Sequence, residues 1–130
     1  MEEKVAHAFV KAINKHDLEA LKELMLESHR FIDSRGNVVV GRETVLAGWA
    51  EYFRLVHDYS VDLHESFCKG PVVVLLAVAT GSYAVDGQLT MEDRWSAPAA
   101  FRAFVEDGKV SEWRVYTDNE PVRKRMRMNG

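Results

Sequence analysis

Ala97-Pro98-Ala99-Ala100-Phe101-Arg102-Ala103-Phe104-Val105, then Glu106-Asp107-Gly108-Lys109, then Val110-Ser111-Glu112-Trp113-Arg114-Val115-Tyr116-Thr117-Asp118-Asn119 is the stretch that decides the fold. Glu-Asp-Gly-Lys is turn chemistry set between two runs rich in apolar, β-branched and aromatic residues, so the stretch reads as a long β-hairpin. Gly108 supplies the positive φ that such a turn demands. A hairpin of this length is stable only inside a wider sheet and under a covering layer. The rest of the chain has to provide both.

The covering layer comes first in the chain. Val5, Ala8, Phe9, Ala12 and Ile13 have the spacing of one helix face within residues 2–15. Asp17 reads as the N-cap of a second helix, with Glu19 in its first turn where the helix dipole favours an anion. Leu18, Leu21, Leu24 and Met25 form its apolar stripe. From His29 the period changes to two: His29, Phe31 and Asp33 alternate with Arg30 and Ile32, as in a short strand. Ser34-Arg35-Gly36-Asn37 turns the chain into Val38-Val39-Val40, and Gly41 opens a third helix. On that helix Val45, Trp49, Tyr52, Phe53 and Val56 fall on one strongly apolar face.

Everything beyond Tyr59 reads as strand. Tyr59, Val61, Leu63 and Phe67 alternate with Ser60, Asp62, His64 and Ser66, the pattern of a sheet with one wet face. Strict alternation would turn Glu65 inward, so a β-bulge near Ser66 is expected to release it to water. Pro71 opens the next strand, where its missing N–H is tolerated. Val72 to Ala79 is apolar at every position, so both faces of that strand should be covered. Asp86-Gly87 is a further hairpin turn, leading through Gln88 into the opening stretch. Three helices, an inserted strand pair and a four-stranded antiparallel meander make an α+β fold, a cone in which a curved, mainly antiparallel sheet wraps the N-terminal helices.

Composition narrows the function. The chain has 130 residues, 47% hydrophobic and 28% charged, which suits one globular domain over residues 1–130 with a real core. A formal net charge of −3 argues against a dedicated nucleic-acid binder. No apolar run reaches membrane-spanning length, and Met1-Glu2-Glu3-Lys4 is no signal peptide, so no membrane partner and a cytoplasmic address are expected. The single cysteine, Cys68, excludes an internal disulfide. The five histidines do not cluster at ligand spacing, so neither a metal nor a cofactor is expected. His7, His16, His57 and His64 read as surface residues, and Arg123-Lys124-Arg125 with Arg127 as a solvated tail.

Phe9 to Leu18, His29 to Asp33, Gly41 to Phe53 and Trp113 to Asn119 resemble a SnoaL-like domain of the nuclear transport factor 2-like superfamily. The resemblance spans nearly the whole chain. It implies the cone-shaped fold and a small-molecule pocket, in a superfamily that includes ketosteroid isomerases, polyketide cyclases, epoxide hydrolases, dehydratases and non-catalytic domains. Fold alone does not choose among them. By the resemblance, Asp33 falls where the general base of a ketosteroid isomerase would be. Phe9 and Ala100 fall where its two oxyanion donors would be, so ordinary ketosteroid isomerisation is not expected. Leu76, Val78 and Val115 fall where limonene-type epoxide hydrolases carry an arginine and two aspartates, which excludes that mechanism.

The expected site follows. Asp33 and His29, on one side of a short strand, are the candidates for proton transfer; the structural alternative is that they satisfy backbone groups or Arg42 at the strand ends. Trp49, Phe53, Phe31, Phe9, Ala100, Arg102, Trp113, Val115 and Thr117 are the candidate substrate-binding residues. By the resemblance, Ala100, Arg102 and Phe104 face the cavity, where Arg102 either holds an anionic substrate or pairs with Asp33. The expected ligand is a small apolar or aromatic molecule. It is either the substrate of a cofactor-free isomerase, cyclase or dehydratase using Asp33 as base, or the ligand of a non-catalytic binding or scaffold domain. Val73, Leu75, Ala77, Ala79, Phe101, Ala103 and Val105 are then expected on the outer face of the sheet, an apolar patch suited to a homodimer.

Overall fold

Asp107 and Gly108 form a two-residue turn with both φ angles positive, 53° and 73°, and Glu106 pairs with Lys109 across it. Two successive positive φ values match the right-handed twist of the strands they join. The computed structural model of the chain describes residues 1–82 and 94–118. The Asp86-Gly87 turn, Gln88, Asn119 and the Arg123-Lys124-Arg125 tail lie outside the described residues.

In chain order the elements are α1 (Glu2–Asn14), α2 (Leu18–Glu23), β1 (Met25–Ile32), β2 (Val38–Val40), α3 (Arg42–Leu55), β3 (Ser60–Lys69), β4 (Val72–Ser82), β5 (Arg94–Glu106) and β6 (Lys109–Thr117). The expected helices and strands are there among the described residues, but α2 ends at Glu23 and β1 already starts at Met25, a residue expected on the helix stripe. Asp17 caps α2, its Oδ1 accepting the Ala20 amide at 3.1 Å. Gly41 caps α3 at φ 104°, a conformation that strains any residue with a Cβ. The buried face of α1 is Ala6, Phe9, Val10, Ala12 and Ile13, rotated from the expected one. Apolar residues occupy both registers in this helix, and packing against the sheet picks between them.

The strands make one six-stranded sheet in the order β2-β1-β6-β5-β4-β3. Neighbours are antiparallel except β1 and β6, which run parallel with Phe31 beside Trp113. That parallel pairing joins the inserted strand pair to the meander and covers an edge of β6 that would otherwise be free. α1 is tied to β3 by Asn14, whose amide donates to the Val61 carbonyl (2.9 Å) and accepts the Val61 N–H (2.7 Å). Trp113 is fully buried and stacks between Phe9 (4.5 Å) and Phe101 (5.2 Å), so α1, β5 and β6 meet at one aromatic centre.

The facing of β4 and β5 overturns one expectation. Val73, Leu75, Ala77, Ala79, Phe101, Ala103 and Val105 point inward and are buried; they are core, not an outer dimer patch. Val72, Val74, Leu76, Val78, Pro98, Ala100, Arg102 and Phe104 point outward. Side chains alternate along a strand, so an error of one residue exchanges every side chain between faces. The β3 bulge falls between Leu63 and Glu65 rather than near Ser66, and it does leave Glu65 exposed.

Candidate functional site

Between α3 and the inner face of the sheet lies a cavity of about 640 Å³. Its origin is a mismatch of side-chain size. Along β4 and β5 the inner positions shrink to Ala79, Ala97 and Ala99, while α3 offers Trp49 and Tyr52 across the gap. Large rings on one side cannot close onto methyl groups on the other, so the layers stay apart there. Phe31, Tyr59, Trp95, Phe101, Val115 and Thr117 complete the wall. Exposed Arg35, Val39, Thr44 and Gly48 mark its mouth, beside the turn between β1 and β2.

The aromatic wall is held by edge-to-face contacts: Trp49 with Phe31 at 5.8 Å, and Tyr52 with Tyr59 at 4.9 Å. Gly81 makes the last part of it. A Cβ there would lie 2.6 Å from Val56 Cγ1 and 2.9 Å from Trp95 Cζ2, so only glycine lets the Trp95 indole lie against β4. Next to it Asp58 receives the Ser82 amide (2.8 Å) and hydroxyl (2.7 Å), anchoring the end of β4. Burial pushes the Tyr52 phenol up to about 12, and burial together with Tyr52 raises that of Tyr59, so both hydroxyls keep their protons at neutral pH.

Asp33 reaches the cavity wall, but its carboxylate is committed to the turn. Oδ1 accepts the amides of Arg35 and Asn37, both at 2.9 Å, and Oδ2 accepts the Asn37 side-chain amide at 3.1 Å. Partial burial works to raise its pKa. The Asn37 and Arg35 amides, the Asn37 side chain and the Arg35 charge outweigh that and leave it below the ordinary carboxylate value. The carboxylate expected to act as a general base is thus ionised, weakly basic and partly spoken for.

His29 is fully buried and is not part of the cavity wall. Its Nδ1 donates to the Val110 carbonyl at 2.8 Å, its ring stacks 6.0 Å from Phe9, and Nε2 has no partner. Desolvation lowers its pKa against the opposing pull of that hydrogen bond and of Glu112. It satisfies a backbone group, as the structural alternative had it. Strand alternation puts His29 and Asp33 on one side, yet the helices fill the space around His29 and leave open only the end near Asp33.

Of the expected binding residues, Trp49, Phe31, Val115 and Thr117 line the cavity. Phe9, Phe53 and Trp113 do not; they lie in the packed core. Phe53 is covered by His16, whose ring stacks on it at 4.1 Å while Nε2 bonds the Tyr59 carbonyl, so His16 is no free surface residue. Ala100 and Arg102 are on the outer face, away from the cavity, as are Leu76 and Val78. Arg102 therefore neither meets a cavity ligand nor pairs with Asp33. It bonds Glu112 at 3.1 Å, and Glu112 also lies 3.6 Å from Arg30.

Sequence reasoning missed Tyr59, Trp95 and the alanine stripe as wall residues. A signal was present: Pro98, Arg102 and Glu106 share one parity of β5, and Glu112 and Arg114 one parity of β6. Charges and a strand proline belong on the wet face, which leaves Ala97, Ala99 and Phe101 inside. Among the described residues no three His, Cys, Asp or Glu side chains gather where they could share a metal ion, and no helix is long and apolar enough to cross a membrane.

Comparison with known proteins agrees with this geometry. A protein from Shewanella denitrificans OS-217, named as a SnoaL-like polyketide cyclase, superposes with a TM-score of 0.85 at 16% identity, covering 98% of this chain and 97% of that one. A Catenulispora acidiphila protein with a ketosteroid isomerase-like fold, in complex with trimethylamine, gives 0.80 at 19% identity over 93% and 90%. An M. tuberculosis protein named as an LEH-like epoxide hydrolase gives 0.79 at 17% identity over 97% and 89%. At such identities the likeness is one of fold. No curated protein matches the sequence. The family model for the SnoaL-like domain matches residues 6–113, most of the chain and all of its cavity-forming elements except the end of β6. The match over residues 6–113 thus places this chain in the SnoaL-like domain family, and the curved sheet holding its helices is the fold of the structures it resembles.

Proposed function

We propose that the chain binds a small, largely apolar molecule in the cavity beneath α3. One observation carries this: a cavity of about 640 Å³ walled by aromatic rings and alanine methyls. Ligand pockets typically span about 300–1,000 Å³ and are mostly apolar with a few polar groups. Titration with the uncharged fluorophore N-phenyl-1-naphthylamine tests it. Binding should saturate at one site per chain, and Ala99→Leu, which grows into the cavity, should weaken it by roughly tenfold or more. Equal affinity in that variant refutes the assignment.

A second reading has the site as a cofactor-free isomerase, cyclase or dehydratase with Asp33 as general base. It is favoured by one fact, that an ionised carboxylate stands on the cavity wall. Asp33→Asn keeps the turn's shape and should then lower kcat by roughly 10²–10⁴. The three hydrogen bonds that hold Asp33 in the turn support binding over this chemistry.

Self-association through the outer sheet face belongs to the same proposal, with the facing corrected. Phe67, Leu76 and Tyr116 are large and exposed there, at 57%, 36% and 48%, and Val74, Val78 and Pro98 lie among them. A contiguous apolar sheet face suits a second copy of the chain.

A further inference from the structure

The cavity's interior holds few polar groups free to meet a ligand. Asp33 is engaged by its own turn. Thr117 Oγ1 donates its proton to the Pro98 carbonyl at 2.8 Å. The indole N–H groups of Trp49 and Trp95 are sealed beneath the wall surface, without an acceptor. Arg35 and Thr44 stand at the exposed mouth. Ser34, also on the wall, is engaged as well, which leaves Tyr52 and Tyr59. Both line the cavity, their rings meet edge to face at 4.9 Å, and neither hydroxyl has a hydrogen-bond partner among the described residues. Tyr59 is only 8% exposed, and its oxygen is not among the sealed, unpartnered polar atoms.

We propose that the Tyr52 and Tyr59 hydroxyls form a two-donor site for an acceptor oxygen on the bound molecule, which makes the cavity selective for carbonyl-bearing ligands over hydrocarbons of the same shape. A phenol is a better donor than acceptor, because its lone pair is delocalised into the ring. Tyr52, in the last turn of α3, and Tyr59, just before β3, are in ring contact on one stretch of the wall, so a ligand oxygen seated there has two phenols from which to accept. An unpaired donor on an apolar wall penalises a ligand that offers it nothing, and this is the basis of selectivity. Burial keeps both groups protonated, so the preference should not vary across neutral pH.

This inference rests on the cavity being a binding site, and one pair of probes separates the two claims. 2-Acetylnaphthalene and 2-ethylnaphthalene share a body and differ in the carbonyl. The ketone should bind roughly tenfold or more tightly, about one net hydrogen bond to each phenol. Tyr52→Phe and Tyr59→Phe keep the rings and should each remove much of that preference, by weakening the ketone and by tightening 2-ethylnaphthalene as the unpaired donor is taken away. A readout on the unaltered protein is the infrared carbonyl stretch of bound 2-acetylnaphthalene, which should move to lower frequency than in hydrocarbon solvent. An unshifted stretch, or equal affinity for the two probes, overturns the tyrosine site and leaves the cavity reading standing. Failure of both probes to bind overturns both.

Discussion

Lowering the pH from about 7.5 to about 5.5 should destabilise this protein through His29. The imidazole is fully buried, its Nδ1–H is given to the Val110 carbonyl, and Nε2 faces no acceptor. A proton arriving at Nε2 would be a buried charge with nothing to bond, and desolvation accordingly lowers the folded-state pKa below the ordinary 6.5. The sign follows. The unfolded chain takes up a proton near its ordinary pKa and the folded chain does not, so stability is complete above that value and is lost as pH falls toward the folded pKa. Linkage caps the loss at the tenfold change in the unfolded state's proton-binding factor between these pH values, about 1.4 kcal/mol, the limit for a folded imidazole that takes up no proton in the window. The lowered carboxylates Asp33 and Glu51 contribute in the opposite range, losing their stabilisation only as pH falls through the acid region below this window. Urea unfolding followed by tryptophan fluorescence at several pH values in the window measures the loss. In His29→Gln, whose amide can still donate to Val110, the wild-type-minus-variant difference should shrink as pH falls. A difference that stays constant across the window would refute the reasoning.

Gly81→Ala should cost roughly 1–3 kcal/mol in the same unfolding assay, because the new methyl meets Val56 Cγ1 and the Trp95 ring at distances that force one of them to move. It should also weaken ligand binding, since Trp95 belongs to the cavity wall. Leu76→Asp, on the outer sheet face, should leave monomer stability within about 1 kcal/mol and convert a dimer seen by analytical ultracentrifugation into a monomer. A wild-type chain that sediments as a monomer at tens of micromolar, an order-of-magnitude condition for ordinary interfaces, rules out that association.

Much of this protein is written in local pattern. The Asp107-Gly108 turn, the Asp17 cap, Gly41 before α3 and the stripe through Val45, Trp49 and Phe53 are short-range signals whose physics stays within a few residues. They determine which elements form and in what order; the expectation of Trp49 on a pocket came with the family resemblance instead. What they leave open is which side of each strand faces in. β4 is apolar at every position, so its sequence fits either facing, and only packing of Val73 and Leu75 beneath the helices chooses. That choice sent Arg102 and Ala100 outward and brought Ala97, Ala99 and Phe101 to the site. Tertiary structure also decided the role of His29, whereas that of Asp33 was settled within its own turn. Each has the right chemistry for proton transfer, but the Arg35 and Asn37 amides capture one and the Val110 carbonyl the other. Hydrogen bonds between residues as distant as 29 and 110 exist only once the sheet has closed over its helices, and no local pattern encodes them.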